Sequence, residues 1–216
     1  DTIHTLVERK NYDGIFMPGY EPFQSESKTK PIGLNFVDHF VGNQPENKMQ
    51  EIADWYEKVF KFHRFWSVDD KDVATDYTSL RSIVVASDNE RIKMPINRPA
   101  AGLKKSQIQE FVEFYYGPGV QHIALETKDI IKTVSQMYEN GVDFLETPSA
   151  YYENLTDRVG EIDEDINELA KYGILVDRDE FGYLLQVFTK PVQDRPTLFY
   201  EIIQRKGCQG FGKGNF

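Results

Sequence analysis

The sequence predicts an α+β domain made of two tandem βαβββ-like units that curl together as an open barrel around a shared cavity. Three observations carry this reading. A histidine stands inside an apolar strand twice, in FVDHFV at His39 and in GVQHIAL at His122. Each is followed by an amphipathic helix with a Tyr-Glu pair at the matching place, Tyr56-Glu57 and Tyr138-Glu139. The histidines lie 83 residues apart, with Phe62 placed 23 residues after the first and Phe144 22 after the second. A repeated unit whose sheet is apolar on both faces cannot bury them alone, so two copies pack together.

The elements follow in chain order. Ile3, Thr5 and Val7 alternate as a leading strand. Residues 12–33, rich in Gly, Pro, Ser and Lys, read as a linker. Residues 35–41 form an apolar strand. Met49, Ile52, Trp55, Tyr56, Val59 and Phe60 recur at helical spacing, which predicts a helix over 47–60. Strands are expected at 62–68, 78–86 and 91–96, the set being closed by Pro95, Pro99 and Gly102. Residues 107–116 fit helix and loop equally.

The pattern then restarts with a strand at 120–126. A helix is marked by Ile130, Ile131, Val134, Met137 and Tyr138 and closed by Asn140-Gly141. A strand at 142–145, an acidic helix at 161–172 and strands at 174–177, 183–189 and 198–204 complete the second unit. The two modules span about 34–100 and 118–216, together one domain over 34–216.

Composition bounds the function. With 25 Lys plus Arg against 35 Asp plus Glu, the net charge of −10 makes the chain a poor counterion for phosphate backbones, so no nucleic-acid partner is expected. Apolar runs such as 83–86 are far too short for a membrane span, and no leader is visible. The single cysteine, Cys208, excludes an internal disulfide and points to a reducing, cytoplasmic setting. Asn154-Leu155-Thr156 matches a glycosylation sequon, which has no weight in that setting. Aromatics make up 13%, which suits an aromatic core or a pocket for an aromatic ligand. The chain starts without Met in a strand-like alternation and stops after a Gly-rich turn, so both ends are expected to be cut from something longer.

The candidate chemistry lies on three strand faces. Alternation puts His39 with Val37 and Val41, His122 with Val120 and Ala124, and Glu201 with Phe199 and Ile203. An ionisable group on an apolar face needs a partner. Taken singly, each is most simply a satisfied core residue. Taken together, with the histidines at equivalent repeat positions, they form the two-His-one-carboxylate set that non-haem Fe(II) oxygenases use. His4 and His63 read as surface or hydrogen-bonded residues. Ser82 aligns with Leu80 and Val84, and Gln186 with Leu184 and Phe188, as polar groups on the same kind of face. Gln121 points to the opposite face from His122 in a regular strand. The tail CQGFGKGNF lacks the helix and Lys-Ser/Thr of a phosphate loop. It is expected to be a flexible Gly turn that carries Phe211 and Phe216 back over a pocket.

The segments RFWSVDD, SLRSIVV, IKMPINRPA, KKSQIQEF, GVQHIAL, TKPVQDRPTLFYEIIQR and QGFGKGNF resemble the C-terminal domain of the 4-hydroxyphenylpyruvate dioxygenase family, over about 5–216. That family has the vicinal-oxygen-chelate (glyoxalase/bleomycin-resistance-like) fold of paired βαβββ modules. The resemblance implies Fe(II) held by His39, His122 and Glu201. It implies active-site polar residues at Ser82, Asn97, Gln107, Gln121 and Gln186, and aromatic walls at Phe188, Phe199, Phe211 and Phe216. The implied partners are a small aromatic α-keto acid and O2, turned into homogentisate and CO2 in tyrosine and phenylalanine catabolism. A cytoplasmic homodimer is implied for the full-length protein. The resemblance implies that residues 1–11 are the last strand of the family's N-terminal domain and 12–33 its linker. Two departures from the family are that most of this N-terminal domain is missing and that the helix after GNF is missing. Without that helix the tail is expected to be mobile. The stretch 152–172 is also a few residues shorter. Alternatives are 4-hydroxymandelate synthase, another metal enzyme of the fold such as a glyoxalase or extradiol dioxygenase, and a non-catalytic ligand-binding module.

Overall fold

The computed structural model describes residues 2–26, 29–68, 80–99 and 105–215. Its strands are β1 (Leu34–Asn43), β2 (His63–Val68), β3 (Leu80–Ala86), β4 (Lys93–Pro99), β5 (Gly119–Thr127), β6 (Leu175–Asp179), β7 (Gly182–Phe188) and β8 (Phe199–Lys206). Its α-helices are α1 (Met49–Phe60), α2 (Gln107–Tyr115), α3 (Ile130–Glu139), α4 (Ala150–Glu153), α5 (Leu155–Val159) and α6 (Ile166–Lys171).

All eight strands form one open, curled sheet in the order β2-β3-β4-β1-β5-β8-β7-β6. The order shows the repeat directly. Each module pairs its first strand parallel with its last, β1 with β4 and β5 with β8, and its other strands antiparallel. The modules meet through the antiparallel pair β1·β5. Period-2 alternation then sorts each strand between two layers. Ile83, Val85, Met94 and Ile96 pack against α1 through Met49, Ala53 and Tyr56. Val176, Leu185, Val187 and Ile202 pack against Ile130, Val134, Met137, Leu155 and Leu169 of the second module's helices. The alternate residues, His39, Ser82, Gln186 and Glu201 among them, are left for the cavity face and are buried as well.

The β1·β5 ladder is not regular. Its register slips between Leu34 and Phe36, between Val37 and His39, and between Val41 and Gly42. Val37 and His39 oppose the consecutive residues Leu125 and Ala124, so Asp38 is an extra residue on β1. Val41 and Gly42 oppose His122 and Val120, so Gln121 is an extra residue on β5. Each histidine is therefore preceded by a β-bulge, which bends a strand and re-aims its side chains.

Several local expectations change. β4 runs through Pro95 to Pro99 instead of ending near 96. Its register with β1 covers only Ile96 and Asn97, so a residue without an N–H is tolerated just before that pairing begins. Residues 107–115 are a helix, whose cap Ser106 accepts a bond from the Gln109 N–H at 3.1 Å. Residues 142–145 make only a single bridge, Phe144 to Thr189, and the strand counterpart of β2 is β6. The expected 161–172 helix is confined to α6, while α4 and α5 appear before it. Gly160, at φ 72°, ends α5. Residues 2–9 are not a strand, because no described strand pairs with them. They instead lay His4 on α1, its Nε2 2.9 Å from the Tyr56 hydroxyl. No helix among the described residues is long and apolar enough to cross a membrane.

Candidate metal centre

One row of the sheet builds the site. His39 on β1 registers with Ala124 on β5, and Ala124 registers with Glu201 on β8. Ala124 projects only a methyl, so the longer side chains on either side meet across it. His122 lies two residues back on the same face of β5. His39 Nε2 and His122 Nε2 stand 3.3 and 3.2 Å from the same atom, Glu201 Oε2. The three ligand atoms lie within 4.8 Å of one another, and the residues are 2, 7 and 2% exposed.

The bulges decide which nitrogen faces inward. Asp38 Oδ1 lies 2.7 Å from His39 Nδ1, and Gln121 Oε1 lies 3.0 Å from His122 Nδ1. Both acceptors take an Nδ1–H and leave Nε2 as the free lone pair, the tautomer a metal ligand needs. Gln121 does not point away from His122, as a regular strand would require, because the bulge puts both side chains on the buried side. Behind Asp38, Arg205 donates Nε to Oδ2 at 2.9 Å and Nη2 to Oδ1 at 2.8 Å, a bidentate pair.

These contacts set the charges. Burial opposes ionisation of Glu201, but the two imidazoles outweigh it and hold its pKa down at about 2. Burial also opposes a charged His39, yet Glu201 and Asp38 together raise its pKa. His122 has no carboxylate behind it, and burial holds its pKa below the ordinary value. Asp38 is pushed well below the carboxylate range, burial being outweighed by Arg205 and His39.

The donor set fits a divalent ion. Glu201 Oε1 is buried with no hydrogen-bond partner, a costly orphan unless a cation satisfies the carboxylate. Two donors each about 2.1 Å from one ion and at right angles stand about 3 Å apart, close to the observed nitrogen–oxygen separations.

Around the triad the structure gathers most of the expected residues. Phe199 stacks on His122 with centroids 4.9 Å apart and planes 22° apart, and Phe188 meets both rings edge-on. Phe211 stands edge-on to His39 at 5.0 Å. Ser82, Asn97 and a residue not singled out in the sequence, Asn43, share one register row across β3, β4 and β1. Asn43 lies four residues beyond His39 on the same strand face, and both its amide atoms are buried and unpartnered. Gln186 registers with Ile203, placing it on the Glu201 face, and its amide is unpartnered too.

Two expected residues are not gathered. Gln107 is exposed at the first position of α2, since Ile108 and Phe111 are the residues that helix buries, and the structure does not bring it to the triad. Phe216 lies outside the described residues.

The tail also differs from the expected flexible turn. Asp179 Oδ2 accepts the N–H groups of Gln209 and Gly210 at 2.7 and 3.1 Å. Asp177 Oδ2 accepts the Gly214 N–H at 3.1 Å, and Tyr151 donates to Asn215 Oδ1 at 2.7 Å. Sequence reasoning missed Asp38, Asn43, Phe65 and Arg205. The signals available were an acid beside a strand histidine, a second polar residue in the His39 stripe, and a cation closing the apolar run of β8. Phe65, 6.3 Å from Phe211, gave none beyond its type.

Comparison with known proteins places the chain. The sequence profile of the Glyoxalase/Bleomycin resistance protein/Dioxygenase superfamily matches residues 37–187. The chain is 55% identical over its whole length to a 4-hydroxyphenylpyruvate dioxygenase of Tetrahymena thermophila, covering 56% of that protein. It is 56% identical to one of Caenorhabditis elegans, covering 58%. It thus spans little more than half the length of these curated relatives. A solved mutant of 4-hydroxymandelate synthase from Streptomyces coelicolor superposes with a TM-score of 0.76 at 35% identity, over 88% of this chain and 53% of the other. Methylmalonyl-CoA epimerase from Mycobacterium tuberculosis, at 14% identity and a TM-score of 0.52, shares the fold. The chain belongs to the Glyoxalase/Bleomycin resistance protein/Dioxygenase superfamily.

Proposed function

We propose that this chain is the catalytic part of an Fe(II)-dependent 4-hydroxyphenylpyruvate dioxygenase, converting 4-hydroxyphenylpyruvate and O2 to homogentisate and CO2. The carrying observation is the convergence of His39, His122 and Glu201 on one buried point between phenylalanine rings and unpartnered amides. Identity of about 55% to curated dioxygenases over the whole chain supports the same reading. An Fe(II) ion held by the triad supplies chelation of a 2-oxo acid and redox chemistry with dioxygen.

The chain's own residues do the rest. Asp38 and Gln121 fix the two imidazoles so that neither must reorganise on binding. Phe188, Phe199 and Phe211 offer faces and edges to an aromatic ring and keep water from the triad. Asn43 lies four residue steps along β1 from His39, a span of roughly 13 Å. That gives room for a benzene ring between a chelating group at the triad and a hydroxyl at the amides. Asn43, Asn97 and Ser82 are the groups placed to bind that hydroxyl.

Residues 34–216 would form the catalytic unit and 12–33 its linker, in a cytoplasmic homodimer at full length. The net charge of −10 supports a small-molecule partner over nucleic acid. The reading is tested by loading the protein with Fe(II) without air, adding 4-hydroxyphenylpyruvate and O2, and identifying the product chromatographically. Homogentisate with matching CO2 is expected. 4-Hydroxymandelate would assign the chain to the synthase reaction instead, and no O2 uptake would favour a binding module.

A further inference from the structure

The two histidines are held by the same bulge device but by different chemistry. His122 leans on a neutral amide, whereas His39 leans on a carboxylate that is itself gripped by a guanidinium. That guanidinium has a second task. Arg205 Nη1 donates to the carbonyls of Cys208 and Gly210 at 3.0 and 2.6 Å, the first residues of the Gly-rich tail. The same tail carries Phe211 onto His39, and the Arg205 guanidinium lies 5.4 Å from the Phe211 ring centre. Arg205, Asp38, His39, Phe211 and the tail therefore form a closed circuit of contacts with one cation as its junction.

We infer that Arg205 is a positioning residue that couples closure of the 208–212 tail over the pocket to the orientation of the His39 imidazole. The inference rests on the triad being a metal site. Metal at Nε2 selects the ring orientation in which Nδ1–H faces Asp38. Asp38 so placed offers both oxygens to the Arg205 fork, and an arginine fixed at one end of its plane presents Nη1 to the tail at the other. Coupling of this kind is reciprocal: whatever factor the metal adds to tail closure, tail closure adds to metal affinity. Outer groups behind a ligating histidine typically change metal affinity by about 10–100-fold.

The test uses Co(II) as probe, with its ligand-field absorption and binding isotherm, and amide hydrogen exchange over 209–212 with and without the metal. In the wild type Co(II) is expected to slow that exchange at least about tenfold. In Arg205→Met the affinity should fall within the 10–100-fold range, and Co(II) should no longer slow the tail. Asp179→Asn loosens the tail from its other side, so exchange should be faster in both states yet still slowed by Co(II). Should Arg205→Met not fold, Arg205→Lys keeps a cation beside Asp38 but cannot span Asp38 and two carbonyls, and should lose the coupling with a smaller loss of affinity. Stoichiometric Co(II) binding without tail slowing in the wild type would overturn the inference. So would metal-dependent slowing that survives in either Arg205 variant. A wild type that binds no Co(II) would overturn the metal site itself and this inference with it.

Discussion

Gly212 lies directly on the Gln186 side chain, so close that a β-carbon at 212 would fall inside the amide group. Its φ of +78° is also one that residues with side chains rarely adopt. The glycine therefore serves two ends: it lets the tail turn and lets it rest on a cavity-facing amide. Gly212→Ala should destabilise the protein by about 1–3 kcal/mol through the combined clash and backbone strain. Gly210→Ala is the control. Its β-carbon would meet Cys208 Sγ at 3.6 Å and Asp179 Oδ2 at 3.9 Å, ordinary contacts. Urea unfolding of the two variants should separate them clearly, and equal stabilities would contradict the close approach.

Ala124 is the residue that lets His39 and Glu201 meet. A larger side chain there would stand between them in the same register row. Ala124→Leu should cost about 1–3 kcal/mol by overpacking and push the two ligands apart. Glu201→Ala removes a ligand and leaves the row intact. Both should lose stoichiometric divalent-metal binding by isothermal calorimetry. Both should also lower the thermal midpoint of the metal-free protein, Ala124→Leu by overpacking and Glu201→Ala by leaving His39 without the carboxylate that raises its pKa. Retained metal binding in Ala124→Leu would show that the row geometry does not govern the triad.

The repeat made much of this legible before any coordinates. His39 and His122 stood at equivalent positions in alternating strands, and alternation alone placed Glu201, Ser82 and Gln186 on cavity faces. What alternation hides is irregularity. A bulge inserts one residue and reverses the face assignment beside it, which is why Gln121 was expected on the wrong side and Asp38 was not expected at all. Arg205 reaches Asp38 across β5, a contact 167 residues apart in sequence that no local pattern encodes. The tail was misjudged for a related reason. Glycine content indicates what a backbone can do, but the aspartates at 177 and 179 that fix it lie on another hairpin. Pro95 shows the limit of a breaker signal: it ends a strand only where its missing N–H would have to donate to a neighbouring strand.

Cys208 offers a pH-dependent readout of the tail. Burial pushes its thiol up to about 12, and the neighbouring Asp179 adds to the shift. The folded-state value lies above the unfolded one, so the neutral thiol's contribution to stability is complete below about 9 and is lost as pH rises toward 12. Unfolding free energy should therefore decline across that window in the wild type and decline less in Cys208→Ala. The same burial predicts negligible alkylation of the native protein by iodoacetamide at pH 8, with full labelling in denaturant. Rapid native labelling would mean that the tail does not cover the thiol.

Asn43 carries the sharpest conflict between stability and function. Its amide is fully buried, both polar atoms lack partners, and it sits in one row with Asn97 and Ser82. A buried amide without hydrogen bonds costs about 1–3 kcal/mol, so the protein keeps it at a loss unless a ligand repays it. Asn43→Leu keeps the volume and removes the orphan, and should raise the unfolding free energy of the ligand-free protein by about 1–2 kcal/mol. The gain should be matched by a loss in recognition. A site built to bond a hydroxyl rejects the analogue lacking it strongly, so the wild type should prefer 4-hydroxyphenylpyruvate to phenylpyruvate by at least about a hundredfold in kcat/KM. In Asn43→Leu that preference should shrink at least about tenfold, mainly through poorer use of the hydroxylated substrate. The two measurements are independent. A variant that is less stable than the wild type would show that the amide has partners when folded. A more stable variant with the full preference would move hydroxyl recognition to Asn97 and Ser82, the other polar residues of the same row.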